Sequence, residues 1–336
     1  MREAMFYEKV DGETVKCLLC PVGCVMADGQ RSFCRVREPV DGKLYTLVYE
    51  LICSAHVDPI EKKPIFHMLP GSRSFSIATA GCNSRCKYCQ NWTISQKPPE
   101  ETTNQPLSSA DVVLNARKFG CASISYTYTE PTVFYEYMHD SAAIAVKSGI
   151  KTIMVTGGKI NTDPLKKVAP FITAAHVDFK GFDDKFLKET CAQDLKTILN
   201  TLTVMKECGI WIEIINLIVP TLNDSPVMIR GLVKWVKENL GPDTPLHFSK
   251  FWPQYKLRQL YPTPKETLMM ARDIAAAEGM RYVYIGNEPE LAGAEDTFCP
   301  SCKKAVIRRG GYTILENRVS GGACGFCGGK IAGIWS

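Results

Sequence analysis

From Ser74 onward the chain alternates short, nearly continuous apolar runs with stretches whose apolar residues recur at helical spacing. The runs are SFSIATA (74–80), SISYTY (123–128), KTIMVT (151–156), AAHVDFK (174–180), WIEIINLIV (211–219), LHFSKF (246–251) and RYVYIG (281–286). Strands that are apolar on both faces and separated by one helix each predict a parallel sheet, covered on both sides or closed on itself. The helix starts can be named. Thr263, Pro264 and Glu266 predict an N-cap, a first-turn proline and a capping-box carboxylate ahead of Leu268, Met269, Ala271 and Ile274. Ser225-Pro226 repeats the device, and over 194–207 the helical spacing of Leu195, Ile198, Leu199, Leu202 and Met205 runs into Gly209, a C-terminal cap. Six or seven βα units over about 215 residues predict an α/β fold, a partial or full (β/α) barrel whose chemistry gathers at the C-terminal ends of the strands.

Composition narrows the class without changing the fold. With 45% hydrophobic and 22% charged residues the chain reads as globular, which excludes disorder and collagen-like repeats. The N-terminus, MREAMFYEKVDGETVK, is too charged for a signal peptide, and no apolar run is long enough to span a bilayer. A cytoplasmic protein without a membrane partner is expected. The net charge of +5, from 40 Lys+Arg against 35 Asp+Glu, is small and dispersed, so no nucleic-acid partner is expected either.

Fifteen cysteines change the picture more than charge does. The number is odd and the chain has no secretory signal, so metal binding explains them better than a disulfide framework. Eleven fall into three close-spaced groups, while Cys53, Cys121, Cys191 and Cys208 stand alone and are expected to pack as small buried hydrophobes. The groups divide the chain into a Cys-rich N-terminal segment (1–69), a barrel core (70–290) and a C-terminal appendage (291–336).

Cys17, Cys20, Cys24 and Cys34 offer four thiolates, enough for zinc or for an auxiliary iron–sulfur cluster, with Arg31, Arg35 and Arg37 nearby. Cys299-Pro-Ser-Cys302 and Cys324-Gly-Phe-Cys327 form two knuckles joined by a hairpin-like stretch, a zinc-ribbon or rubredoxin-like site in which zinc is favoured over iron. The central group, Cys82, Cys86 and Cys89, follows the first barrel strand and supplies three ligands only. Three thiolates suit a [4Fe–4S] cluster with one iron left open to an exchangeable ligand.

The spacing CxxxCxΦC, with aromatic Tyr88 before the third cysteine, resembles the motif of radical S-adenosylmethionine (SAM) enzymes. Over nearly the whole chain, the string DPIEKKPIFHMLPGSRSFSIATAGCNSRCKYCQNW, the VYIGN strand and the flanking cysteines resemble the AmmeMemoRadiSam enzymes, relatives of pyruvate formate-lyase activating enzyme. The resemblance implies further site residues. Thr129-Glu130-Pro131 stands where the superfamily's GGEP segment meets the SAM amino group, with Tyr128 and Thr129 replacing the two glycines. Gly157 and Gly158 allow close approach to ribose or methionine. Asp178 and Lys180 look like the DxK pair beside the SAM carboxylate. Asn216 and His247 are polar residues in apolar strands, to be read as hydrogen-bonded sheet residues or as SAM contacts. No side chain beyond the cluster is assigned a catalytic role.

The implied activity is reductive cleavage of SAM to methionine and a 5′-deoxyadenosyl radical, which abstracts hydrogen from an unidentified small-molecule or peptide substrate. An electron donor such as a ferredoxin or flavodoxin is implied as a partner. Installation of a glycyl radical on a partner protein is the alternative, and an iron–sulfur electron carrier without SAM turnover ranks third.

Overall fold

The computed structural model describes all residues, Met1–Ser336. Its centre is an eight-stranded sheet of β1 (Ser54–Pro59), β2 (Arg73–Ala78), β3 (Ser123–Tyr126), β4 (Lys151–Thr156), β5 (Ala174–Asp178), β6 (Trp211–Ile218), β7 (Leu246–Lys250) and β8 (Val283–Gly286). The strands lie in sequence order; β2 to β8 are parallel and β1 pairs antiparallel with β2. The first and last strands do not pair with each other, so the sheet is an incomplete barrel. The apolar alternation that marks a solvated face is missing from β3 and β4 because both of their faces are covered: all four residues of β3 are buried.

Six helices of seven residues or more fill the connections: α1 (Ser109–Lys118), α2 (Tyr135–Lys147), α3 (Thr162–Val168), α4 (Leu195–Glu207), α5 (Pro226–Asn239) and α6 (Lys265–Ala277). Ser225 caps α5 by accepting from the Met228 N–H at 3.2 Å, and Asp194 caps α4 by accepting from Thr197 at 2.8 Å. Gly209, at φ +76°, follows the end of α4 in the left-handed conformation expected of it. Thr263 departs from expectation. Its hydroxyl donates to the Ile218 carbonyl at 2.6 Å and accepts from the Phe251 N–H at 2.7 Å, so it ties β6 to β7 and Pro264 takes the cap position.

Five of the sequence runs outlast their strands, two of them by the single residues Val219 and Phe251 and three by two residues. Residues 79–80, 127–128 and 179–180 leave the sheet and turn across the C-terminal ends of the strands. The N-terminal lobe comprises two small antiparallel sheets that share the large central core through Val15, Leu19, Met26 and Val36. A buried ion pair, in which Arg37 Nη2 reaches both carboxylate oxygens of Glu136 at 2.7 and 2.8 Å, fastens that lobe to α2.

The C-terminal residues form a three-stranded sheet, Thr297–Phe298, Ala305–Gly310 and Thr313–Asn317, with its own core of Cys299, Val306, Ile307, Cys324 and Ile331. That core also contains Phe66, Tyr282 and Tyr284, so the appendage is packed onto β8 and onto the segment leading into β2. Of the four isolated cysteines, Cys121 and Cys191 are buried as expected, but Cys53 is only partly buried and Cys208 is exposed. Cys208 lies just past the end of α4, where the helix turns into solvent.

Candidate active site

Gly81 begins the loop that carries the central cysteines. It sits at φ +88°, and a Cβ there would lie 2.6 Å from the Cys34 carbonyl oxygen and 2.5 Å from the Val36 side chain, so glycine alone admits this contact. The loop then docks on a π-helical turn, Leu187–Cys191. The Arg85 N–H donates to the Cys191 carbonyl at 2.8 Å and the Lys87 N–H to the Thr190 carbonyl at 2.9 Å. The Arg85 guanidinium donates back to the carbonyls of Cys82 (2.8 Å) and Ser84 (2.9 Å) and also to that of Phe33.

Cys82, Cys86 and Cys89 line one strand-end cavity of about 430 Å³. Their Sγ atoms do not all lie within 4.8 Å of one another, too open for a single tetrahedral ion and suited to a cluster whose irons each take a separate thiolate. The Ser84 N–H approaches the Cys82 sulfur at 3.4 Å and the Ser95 hydroxyl the Cys89 sulfur at 3.2 Å. Burial pushes the Cys82 and Cys89 thiols up, so the thiolate form requires positive charge beside it, which iron would supply.

Glu130, Thr129, Gly157, Asp178 and Lys180 line the same cavity. Glu130 is buried, and its carboxylate accepts from the Thr132 hydroxyl (2.9 Å), the Thr156 hydroxyl (2.7 Å) and the Gly157 N–H (2.9 Å). Burial raises its pKa against those bonds. Asp178 accepts from Lys180 and from His176, both at 3.0 Å, and keeps 39% of its side chain accessible. Although burial acts to raise it, Lys180 and His176 hold its carboxyl well below the usual range, while Asp178 holds the Lys180 ammonium above its own.

The remaining expected residues are distributed more widely. Tyr88 is buried beside the loop, its hydroxyl 3.3 Å from the Cys191 sulfur, and lines an adjoining cavity of about 390 Å³. His247 lines that adjoining cavity too, stacked on Tyr284 with ring centroids 4.9 Å apart and bonded through Nε2 to Glu213 at 2.8 Å; burial lowers its pKa. Asn216 and Gly158 line neither cavity. The Asn216 amide donates to the Phe179 carbonyl at 2.8 Å, and Gly158, at φ +73°, packs on Ile198 and Val177.

Two residues that sequence reasoning passed over belong to the site. His176 lines both cavities and its Nδ1 has no partner; it precedes Asp178 and Lys180 at the same period of two, which was the available signal. Gln193 donates to the Ser84 hydroxyl (3.1 Å) and the Gly157 carbonyl (3.2 Å), bridging the cysteine loop to the end of β4, and nothing in its sequence context marks it. Cys191, expected in the core, is buried directly against Tyr88 and Cys86.

The flanking cysteine groups differ in geometry. All four ribbon sulfurs lie within 4.8 Å of one another, with Cys299–Cys327 at 3.7 Å and Cys302–Cys324 at 3.8 Å. A tetrahedral ion with bonds near 2.3 Å to sulfur requires separations of about 3.8 Å, so this site suits one zinc or iron. Burial acts to raise the Cys299 thiol, but hydrogen bonds from the N–H groups of Cys302 and Ser301 and from the Cys302 and Cys324 thiols together draw it down to about 6. Cys17, Cys20, Cys24 and Cys34 line a separate cavity next to the central loop.

An open parallel α/β sheet with three cysteines and charged groups at its strand ends defines a partial-barrel fold with a strand-end cavity suited to an iron–sulfur cofactor. The sequence matches the radical SAM superfamily over residues 76–231. An uncharacterized protein of Methanocaldococcus jannaschii is 46% identical over 333 residues, 98% of this chain and 99% of the relative. The fold is similar to a radical SAM methyltransferase from Sphaerobacter thermophilus (TM-score 0.50, 14% identity, 68% of this chain and 70% of that one). It is also similar to SuiB from Streptococcus suis bound to its precursor peptide SuiA (TM-score 0.52, 15% identity, 68% of this chain and 51% of that one). The chain belongs to the radical SAM superfamily. Membership implies SAM cleavage at an iron–sulfur cluster, and no helix is long and apolar enough to cross a membrane.

Proposed function

We propose that Cys82, Cys86 and Cys89 hold a [4Fe–4S] cluster, that SAM occupies the strand-end cavity beside them, and that the substrate is a small molecule or a peptide side chain. The carrying observation is that one cavity is lined at once by the three cysteines, by Glu130 and Gly157, and by the Asp178–Lys180 pair. When bound, the cluster supplies the electron that cleaves SAM to methionine and a 5′-deoxyadenosyl radical. The chain's own residues do the placing. Glu130 presents a carboxylate suited to an ammonium, Asp178 and Lys180 present a fixed pair suited to an amino acid's charged end, and Gly157 leaves room for the Gln193 amide, which a Cβ there would meet at 2.5 Å.

The adjoining cavity of about 390 Å³ lies within the range of small-molecule sites, which favours a small substrate over docking of a large protein segment. Its walls carry Tyr88, His176 and His247 together with Glu61 and Glu295, so the substrate is read as polar. A low-potential one-electron donor such as a ferredoxin or flavodoxin is the expected partner. The test is anaerobic incubation of reconstituted protein with SAM and a chemical reductant. 5′-Deoxyadenosine is expected from the native chain and none from Cys86→Ala; undiminished product from the variant overturns the site.

A further inference from the structure

The cysteines of the N-terminal lobe and those of the ribbon offer the same ligands in different geometries. In a mononuclear site all four sulfurs bind one atom and must crowd together, as the ribbon sulfurs do at 3.7 and 3.8 Å. In a cubane each sulfur binds a different iron at the corners of a cluster, so the four stay apart around a central volume. Cys17, Cys20, Cys24 and Cys34 all line one cavity, yet no three of their sulfurs lie within 4.8 Å of one another. Cys82, Cys86 and Cys89 show the same openness. Within a single chain, the N-terminal group therefore follows the geometry of the cluster triad and departs from that of the ribbon.

The walls of the cavity point the same way. Donors approach the sulfurs: the Phe33 N–H lies 3.4 Å from Cys24 Sγ, and the Ser32 hydroxyl lies 3.1 Å from Cys34 Sγ. Arg37 is 1% exposed and lines the cavity; Glu136 balances its charge, but its Nε–H has no acceptor among the protein's atoms. Hydrogen-bond donors around cluster sulfur are a principal means by which a protein stabilises an iron–sulfur centre. A buried donor without a partner is rare enough to call for one, and a sulfide or thiolate at this position provides it.

We propose that Cys17, Cys20, Cys24 and Cys34 hold a second [4Fe–4S] cluster with no iron left open. It shares a wall with the SAM site. Asn83 lines the N-terminal cavity, whereas its neighbours Cys82 and Ser84 line the strand-end cavity, so the two centres are separated by the thickness of one loop. Lys159 braces that loop, its ammonium donating to the Asn83 carbonyl at 2.9 Å.

The experiment is metal and sulfide analysis, with electron paramagnetic resonance, of the full chain purified and reconstituted anaerobically. About eight iron and about eight sulfide per chain are expected beside about one zinc. The Cys20→Ser/Cys24→Ser variant is expected to lose about four iron and about four sulfide and to keep a reduced-cluster signal that SAM perturbs. The Cys82→Ala/Cys86→Ala/Cys89→Ala variant is expected to keep about four iron and a signal indifferent to SAM, which covers the case in which the first variant does not fold. About four iron with about two zinc in the native chain would overturn the proposal, as would loss of zinc in place of iron from the first variant. Failure of the SAM-site reading looks different: the native signals would not respond to SAM, while the Cys82→Ala/Cys86→Ala/Cys89→Ala variant would still hold its cluster.

Discussion

Glu130 and Asp178 are both carboxylates facing the same cavity, yet their surroundings assign them different work. Glu130 accepts from three residues on two strand ends, so it braces the site as well as offering a ligand. Glu130→Gln should weaken SAM binding roughly tenfold or more and also lower the melting temperature, since a charge-assisted hydrogen bond is worth about 1.5–3 kcal/mol. Asp178 is held by Lys180 and His176 alone and remains accessible, so Asp178→Asn should weaken binding by a similar factor with little change in melting temperature. Calorimetric titration with SAM beside a thermal melt separates the two; equal effects on both quantities would contradict the distinction. The CxxxCxΦC spacing, Glu130 and the period-two Asp178 and Lys180 were legible because short motifs fix their own geometry. His176 shared that period but could not be told from a packed histidine. Gln193 was illegible, since its role comes from β4 and the cysteine loop meeting it in space.

Among the elements, the parallel strands could be read because burial on both faces writes a nearly unbroken apolar run. The antiparallel edge β1 could not: SAHVDP exposes three residues and ends in proline, so its pattern resembles a loop. Thr263 shows the opposite failure, a good local cap signal overruled by tertiary bonds to Ile218 and Phe251. Between lobe and barrel, the Arg37–Glu136 pair is a junction whose loss should be severe. Arg37→Met leaves the Glu136 carboxylate buried and unpaired, so a loss of about 3–5 kcal/mol is expected by chemical denaturation; the Arg37→Met/Glu136→Leu double variant should recover much of it. At the loop itself, Gly81→Ala forces a Cβ onto the Cys34 carbonyl at a φ that disfavours alanine. It should lower the iron content of the reconstituted protein as well as its stability.

Across the molecule, the ribbon is joined to the barrel by a directed line of hydrogen bonds. Arg309 donates to the Thr297 hydroxyl (2.9 Å), which lies 3.0 Å from the Tyr284 hydroxyl. Tyr284 in turn bonds His67 Nε2 (2.5 Å), and His67 Nδ1 bonds the Ala332 carbonyl (2.6 Å). A carbonyl only accepts, so Nδ1 carries the proton and Nε2 accepts from Tyr284. Burial lowers the His67 pKa from 6.5 to about 4, despite the nearby Glu213 carboxylate. The unfolded chain therefore takes up this proton more readily than the folded one. The stability contributed by neutral His67 is fully present above pH 6.5 and is lost as pH falls towards about 4, by on the order of 3 kcal/mol. A fall in unfolding free energy across that interval is expected in native protein and should be much smaller in His67→Gln.

Glu213 adds a second, more acidic step. Burial acts to raise it, but hydrogen bonding from His247 outweighs this and holds it at about 2, so its contribution is present above the ordinary carboxylate range and fades only as pH drops towards 2. Removing residues 291–336 should uncover Phe66, Tyr282 and Tyr284 as well as deleting a metal site, so the truncated chain is expected to aggregate in light scattering rather than behave as an isolated barrel.

Residues 67–69 meet the C-terminal tail directly: the Ile334 N–H donates to the His67 carbonyl at 2.7 Å, and the Leu69 N–H to the Ile334 carbonyl at 2.9 Å. A ribosome makes about 5–20 residues per second, so the segment feeding β2 and its cysteine loop waits tens of seconds for the partner that fastens it. During translation the nascent sheet is thus built on a loose hinge, with Phe66 uncovered. Chains aborted within the ribbon would never close that hinge, which marks them for chaperones and proteases before they can acquire a cofactor.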